Sequence, residues 1–433
     1  MKAKIDLNTI PYHKKFALKE HCSFVKGAKR GCIYNLNSGD IYSIDSEACA
    51  LLELCESELV LDDILENAFF KEKTNEVIQY LIDLETNNLG CFIENNQRIR
   101  KLKIDEPPEK LDFLWLELTQ DCNLRCIHCY NPMSTHLHSK RKISTIKWKR
   151  ILLDAFELGC RKIQFIGGEP FLSGSLMNLL KYAKSIGYNF VEIFTNSTLI
   201  KHEHYKLFLD LDINIATSLY GPSGKVHDQI TLKSGSFEKA ITNIRRLHEK
   251  GIKVRIGTII MRGNEAFLKD TVDFIKNVIG VKDVRYDFVR PSGRGNNEAL
   301  IPEQSISKSR IDKPLFNKVH KHKYLLAKFG HNCFYRMACI TSEGDVVPCV
   351  MVRNIKLGNV EKRSLKEIYF DKTSREIRCL SKEKIDTCKD CEYRYACFDC
   401  RVIAKGWSNC SDLHVKNSSC LYNPYSGEWG KNI

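Results

Sequence analysis

Three cysteines fall within eight residues, Cys122-Asn-Leu-Arg-Cys126-Ile-His-Cys129, and this spacing constrains the chain more than any other feature. One short loop offering three thiolates suits a 4Fe–4S cubane with one iron left open, since structural clusters usually take four cysteines. The next cysteine, Cys160, lies too far along the chain to complete the set. A zinc site would want a fourth protein ligand, which only His128, placed awkwardly between Cys126 and Cys129, could supply. A chance grouping is the remaining alternative.

The wider composition favours metal over disulfides. The chain has 19 cysteines in 433 residues. Its start, MKAKIDLNTIPYHKK, lacks the apolar run of a secretory signal, and no stretch reaches the length of a membrane span. The expected location is the cytoplasm, where disulfides are disfavoured. Ten cysteines lie between Cys333 and Cys420, whereas Cys22, Cys32, Cys49, Cys55, Cys91 and Cys160 are scattered, as small core residues would be. The formal charge of +14 counts thiols as neutral, and cluster-bound thiolates would lower it. Apart from Lys140–Arg150 the cations are dispersed, so the charge reads as a solvated basic surface and does not indicate nucleic acid.

The chain divides by texture. Residues 1–95 read as an α+β, winged-helix-like unit, with a hairpin around Asn37-Ser38-Gly39-Asp40 and helical patterns at Ser46–Cys55, Leu61–Ala68 and Thr74–Thr86. Residues 96–110, polar and carrying Pro107-Pro108, read as a linker. Residues 111–295 alternate strands and helices as βαβ units require. Six strands are expected: Phe113–Thr119, Lys162–Ile166, Phe190–Thr195, Ile213–Leu219, Lys253–Ile260 and Val284–Val289. Six such units predict an α/β fold, a partial (β/α)6 TIM-type barrel with active groups at the C-terminal strand ends. The cysteine triplet follows the first strand, where that rule puts chemistry. Residues 296–330 form a bridge, and residues 331–433 form a cysteine-rich unit organised by its ligands.

CNLRCIHC after a strand resembles the radical S-adenosylmethionine (SAM) superfamily. That resemblance implies that Cys122, Cys126 and Cys129 hold a catalytic 4Fe–4S cluster whose open iron binds SAM. One electron then cleaves SAM to a 5′-deoxyadenosyl radical, which abstracts hydrogen. Gly167-Gly168-Glu169-Pro170 ends the second strand, with glycines permitting close backbone approach and Glu169 able to receive the cofactor's ammonium. His128, Thr195, Asn196 and Ser218 complete the implied cofactor-binding set, although simple strand-end capping explains the polar strand ends nearly as well. Where the family often has Ser-Leu-Asp-Gly, this chain has Ser218-Leu219-Tyr220-Gly221, so any role of that Asp is absent or reassigned. Arg290-Pro-Ser-Gly-Arg-Gly295 closes the resemblance.

Beyond it, Cys339 and Cys349 precede Cys388-x2-Cys391-x5-Cys397-x2-Cys400, then Cys420, with Cys333 ahead of the set. A zinc ribbon would need longer separation between its pairs. The pattern resembles the SPASM domain, which holds two auxiliary 4Fe–4S clusters. By that resemblance one takes Cys333, Cys339, Cys349 and Cys400, and the other Cys388, Cys391, Cys397 and Cys420. Cys410 stands as an alternative to Cys420. Many members have three residues where this chain has two between Cys397 and Cys400. Cys379 is left as a packed or free thiol.

The whole chain is similar to SPASM maturases of ribosomally made peptides, including the group that accompanies ATP-grasp enzymes. The implied reaction is hydrogen abstraction from a precursor peptide, then formation of a thioether or carbon–carbon crosslink. The implied partners are that peptide, its leader bound by the N-terminal unit as an added strand, and an electron donor such as flavodoxin or ferredoxin. Peptide epimerisation is a close alternative. Sulfatase-type maturation is weakened because Val350 stands where those enzymes carry Asp. A non-catalytic iron–sulfur or zinc binding protein is the alternative of another class.

Overall fold

The computed structural model describes residues 11–98, 102–131, 143–303, 318–330, 333–406 and 412–430. Its centre is a nine-stranded sheet in which β6 (Phe113–Glu117), β7 (Lys162–Ile166), β8 (Phe190–Phe194), β9 (Asn214–Ser218), β10 (Val254–Ile260) and β11 (Asp283–Phe288) run parallel in sequence order. The six strands match the expected ones to within a residue or two at each end. Helices α4 (Thr145–Glu157), α5 (Leu176–Ser185), α6 (His202–Asp210), α7 (Gly224–Thr231) and α8 (Ser236–Glu249) fill the crossovers. Among the described residues no helix is long and apolar enough to cross a membrane.

Each crossover helix carries an apolar stripe that fits this layering. In α4, Trp148, Ile151, Leu152 and Ala155 recur at helical spacing and are buried against Leu114, Leu116, Ile163 and Phe165 of the sheet. Ser144 caps the helix, accepting from the Lys147 N–H at 3.2 Å. The long α8 ends where Gly251 adopts φ +78°, the left-handed conformation that terminates a helix.

The sheet does not stop at β6. Strand β12 (Met337–Ile340) pairs parallel with it, Cys339 opposite Trp115, and β13 (Asp345–Val347) and β14 (Gly358–Asn359) continue antiparallel. Leu365, Ile368 and Tyr369 from the following helix enter the same apolar core as the barrel strands. Phe334, Val352, Leu380, Ile385, Val402 and Leu413 form a further core around the C-terminal cysteines. The cysteine-rich unit therefore has apolar packing of its own in addition to any ligands.

The N-terminal unit holds β1 (Lys15–Leu18), β2 (Cys22–Lys26), β3 (Gly31–Asn35), β4 (Ile41–Ile44) and β5 (Gly90–Ile93) with α1 (Ser46–Glu56), α2 (Leu61–Glu66) and α3 (Thr74–Thr86). Strands β2, β3 and β4 make an antiparallel sheet with β4 at its edge, while β1 pairs with β5. The unit docks on the cysteine-rich region. Tyr34 is fully buried and donates to the Glu392 carbonyl at 2.8 Å, and the Ala28 N–H donates to the Asp390 carbonyl at 2.8 Å. The segment after β5 is strapped down as well: Glu109 pairs with buried Arg378 at 2.7 Å, and the Tyr369 hydroxyl donates to the Lys110 carbonyl at 2.6 Å.

Candidate functional site

The loop after β6 is clamped from three sides. The N–H groups of Arg125 and Ile127 donate to the carbonyls of Thr231 and Ile230 at the end of α7, both at 3.0 Å. Arg294 reaches the Cys126 carbonyl through Nε at 2.8 Å, and its own N–H donates to the Cys129 carbonyl at 2.9 Å. Gly293 lies so close that a Cβ there would stand 2.4 Å from the Tyr130 carbonyl. The Arg290–Gly295 segment thus braces the back of the cysteine loop.

Under the loop lies the Gly-Gly-Glu-Pro turn that ends β7. A Cβ on Gly167 would meet the Thr119 carbonyl at 2.6 Å, and one on Gly168 the Gln120 and Asp121 carbonyls at 2.4 and 2.3 Å. The glycines are required because the turn packs against the root of the cysteine loop. Glu169 is fully buried: Oε1 accepts from the Thr195 hydroxyl at 2.7 Å and the Phe171 N–H at 3.1 Å, and Oε2 from the Asn196 N–H at 2.9 Å. Burial raises its carboxyl to about 7 despite these three hydrogen bonds, which act to lower it. Thr195 is thereby committed to orienting Glu169. Asn196 donates its amide to Asn123 Oδ1 at 2.8 Å, tying the third strand's end to the loop.

These parts face one cavity of about 450 Å³ at the C-terminal ends of the strands. Cys122, Cys126 and Cys129 line it together with His128, Gly167, Gly168, Thr195, Asn196 and Ser218, and Glu169 and Pro170 are buried beside it. Burial pushes the Cys122 and Cys126 thiols up to about 11 and about 12. His128 is held neutral, drawn down to about 3 by burial and then by Arg294 and His227, and its buried Nδ1 has no hydrogen-bond partner among the described residues. Its ring sits edge-on to Tyr220 at 4.7 Å, which in turn stacks on His227 at 5.3 Å. Tyr220 thus fills the position after Leu219 with a buried phenol that hydrogen-bonds Ser218.

Residues beyond the sequence reading join the site through long-range contacts. Glu117 at the end of β6 is fully buried and meets Arg353 in a bidentate pair at 2.6 and 2.9 Å. Tyr130, half-buried on the cavity wall, lies near Glu117, Cys129, Cys339 and Arg353. This knot joins the root of the triplet loop to the segment that follows Cys349.

The C-terminal cysteines separate into two neighbourhoods. Cys333 hydrogen-bonds Cys400 and lies near Cys349, and Cys339 also neighbours Cys349. Cys388, Cys391, Cys397 and Cys420 neighbour one another instead. Cys400 therefore sides with Cys333 although it is only three residues from Cys397. Cys410 lies outside the described residues. Among the described residues no three His, Cys, Asp or Glu groups converge as ligands of a single metal ion.

Residues 116–275 match the Radical SAM superfamily, and residues 333–392 match SPASM, an iron–sulfur cluster-binding domain. This chain is a radical SAM enzyme with a SPASM domain. The radical SAM domain binds SAM and a 4Fe–4S cluster, and the SPASM domain binds auxiliary clusters. The enzyme is 26% identical to an AdoMet-dependent heme synthase of Oleidesulfovibrio alaskensis over 347 residues, covering 71% of this chain and 86% of the relative. It is also 26% identical to the antilisterial bacteriocin subtilosin biosynthesis protein AlbA of Bacillus subtilis, over 58% of each chain. The structure of Streptococcus suis SuiB bound to S-adenosylmethionine superposes with a TM-score of 0.58 at 16% identity, covering 94% of this chain and 100% of SuiB. That likeness establishes the fold.

The cavity fits the groups this fold binds. Three thiols face it from one loop, and the fully buried Glu169 carboxyl, of raised pKa, lies beside it. Among the described residues His128 Nδ1 is left without a partner, and the glycine turn leaves no room for added side chains.

Proposed function

We propose that the enzyme modifies a ribosomally made precursor peptide, abstracting hydrogen from one residue and closing a thioether or carbon–carbon crosslink. In this reading Cys122, Cys126 and Cys129 hold the catalytic cluster. Cys333, Cys339, Cys349 and Cys400 hold one auxiliary cluster, and Cys388, Cys391, Cys397 and Cys420 the other. A cluster on the triplet with SAM at its open iron supplies a hydrogen-abstracting radical when both are bound.

The protein's own groups aim and shield that chemistry. Glu169, anchored by Thr195 and Asn196, accepts an ammonium and becomes ionised as it does so. His128 and His227, drawn down by burial to about 3 and about 4, add no competing positive charge. Phe194, Tyr220 and Ile259 wall the cavity against water.

The observation that carries the peptide reading is the edge of the N-terminal sheet. The Asn35 N–H donates to the Asp40 carbonyl at 2.9 Å, which makes that opposed pair a hydrogen-bonded one. By alternation in the antiparallel register, Ile33↔Tyr42 and Gly31↔Ile44 are bonded, and Ile41 and Ser43 turn their backbone groups to the outer edge. Among the described residues no strand covers that edge. An extended leader peptide adds there by β-augmentation. AlbA belongs to bacteriocin biosynthesis, and SuiB has been solved with its precursor peptide, which supports the same reading. A flavodoxin or ferredoxin supplies the electron, in the cytoplasm.

The test is anaerobic turnover with SAM, a reductant and a candidate precursor peptide. Crosslinking predicts 5′-deoxyadenosine release and a product lighter by two hydrogens. An unchanged mass points to epimerisation instead, and no release overturns the proposal. Similarity to heme synthases motivates a second reading, tetrapyrrole modification, which turnover of iron-coproporphyrin in the same assay would favour.

A further inference from the structure

Arg290 spans the wall between the radical cavity and the first auxiliary cysteines. We propose that it is the hydrogen-bond donor that sets the reduction potential of the cluster held by Cys333, Cys339, Cys349 and Cys400. The inference rests on that ligand set and adds a role that the cysteine pattern does not contain.

Arg290 lies two residues past the end of β11, and its guanidinium is divided between two partners. Nη1 donates to the Cys400 sulfur at 2.7 Å, and Nη2 pairs with Asp287, a half-exposed carboxylate on β11 at the cavity rim. Nε is buried and has no hydrogen-bond partner among the described residues. Ser292 holds the segment in place, donating to the Met351 carbonyl at 3.1 Å, two residues beyond Cys349. The guanidinium is thus fixed against a cluster ligand while also lining the radical cavity.

Reduction adds negative charge to a cluster, so a cationic N–H aimed at a ligating sulfur favours the reduced form and raises the potential. Asp287 acts in the opposite direction by partly neutralising Arg290. The second cysteine set has a different cation, Lys382, which is buried, pairs with Asp399 at 2.6 Å and lies near Cys397 and Cys388. Its cluster therefore serves as an internal control.

The test uses the full chain with Cys122, Cys126 and Cys129 replaced by Ala, which leaves the auxiliary clusters, followed by an EPR-monitored redox titration. Arg290→Gln should lower one midpoint potential by at least tenfold in its reduction equilibrium, about 59 mV for a one-electron couple. Arg290→Lys should lower it less, Asp287→Asn should raise it, and the second couple should stay in place. A fully loaded Arg290→Gln protein, with about eight irons per chain, whose couples are both unmoved overturns the proposal. Should Arg290→Gln lose iron, Asp287→Asn decides, and an unmoved couple there overturns it. Cys400→Ala tests the ligand set separately: loss of about four irons supports it, and full retention refutes the ligand set independently of Arg290.

Discussion

Replacing Glu169 by Gln exchanges one carboxylate oxygen for an amide at the centre of the Gly-Gly-Glu-Pro turn. The native oxygens accept from Thr195, Phe171 and Asn196, whereas a glutamine offers one acceptor and turns its own N–H toward a donor. In the native protein the carboxyl is raised from 4.5 to about 7, burial outweighing its hydrogen bonds. An acid so raised leaves stability intact below about pH 4.5 and reduces it as pH climbs through about 7, by on the order of 3 kcal/mol. In the proposed role of Glu169 as acceptor of the cofactor's ammonium, the arriving cation would offset that cost. Removing one partner of such a buried charge pair costs about 2–5 kcal/mol, or roughly 30- to 4,000-fold in affinity at tenfold per 1.4 kcal/mol. The assay is anaerobic equilibrium binding of SAM to cluster-loaded protein across about pH 5.5 to 8.5. Wild-type affinity should fall about tenfold per pH unit below about pH 7, whereas Glu169→Gln should bind weakly and without that slope. Glu169→Gln binding within about threefold of wild type, or sharing its pH profile, would refute the reasoning.

Three further outcomes follow from the same structure. Gly168→Ala places a Cβ 2.3 Å from the Asp121 carbonyl, so melting temperature and iron loading should both fall, at a cost of roughly 1–3 kcal/mol or more; unchanged melting and iron content would contradict the packing argument. Glu117→Gln leaves Arg353 without its buried partner and should cost about 3–5 kcal/mol in denaturant unfolding, while Glu47→Gln, at an exposed pair, should cost under about 1 kcal/mol. Ser43→Pro removes an outward N–H from the sheet edge and should weaken precursor-peptide binding while sparing SAM cleavage without peptide; peptide affinity equal to wild type would argue against docking at β4.

The parallel strands were legible because each is a short apolar run separated from the next by a helix-length stripe, as Lys162–Ile166 and Phe190–Phe194 are around α5. The hairpin was legible from its Asn-Ser-Gly-Asp turn, where Gly39 takes φ +82°. Strands β1 and β2, KFAL and CSFVK, carry no comparable turn signal. The pairing of Met337–Ile340 with Phe113–Glu117 was hidden for a different reason, since it joins residues more than two hundred positions apart and local patterning is silent on it. The site divides in the same way. Cysteine spacing marks the triplet loop, and a strand followed by Gly-Gly-Glu-Pro marks the turn beneath it. Glu117, Tyr130 and Arg290 look like ordinary strand-end or loop residues, and only the tertiary fold brings them to Arg353, Cys339 and Cys400. Tyr220 was visible as a departure from the family pattern, but not as a ring packed between His128 and His227.

The account depends on an iron at the Cys122–Cys129 loop that no protein group ligates, leaving it to the cofactor. Electron–nuclear double resonance on the reduced, reconstituted enzyme, with SAM isotopically labelled at its amino nitrogen, measures this directly. The account predicts a hyperfine coupling from the labelled nitrogen that disappears in Cys126→Ala. A spectrum blind to the label, in enzyme that carries its full iron, would contradict it.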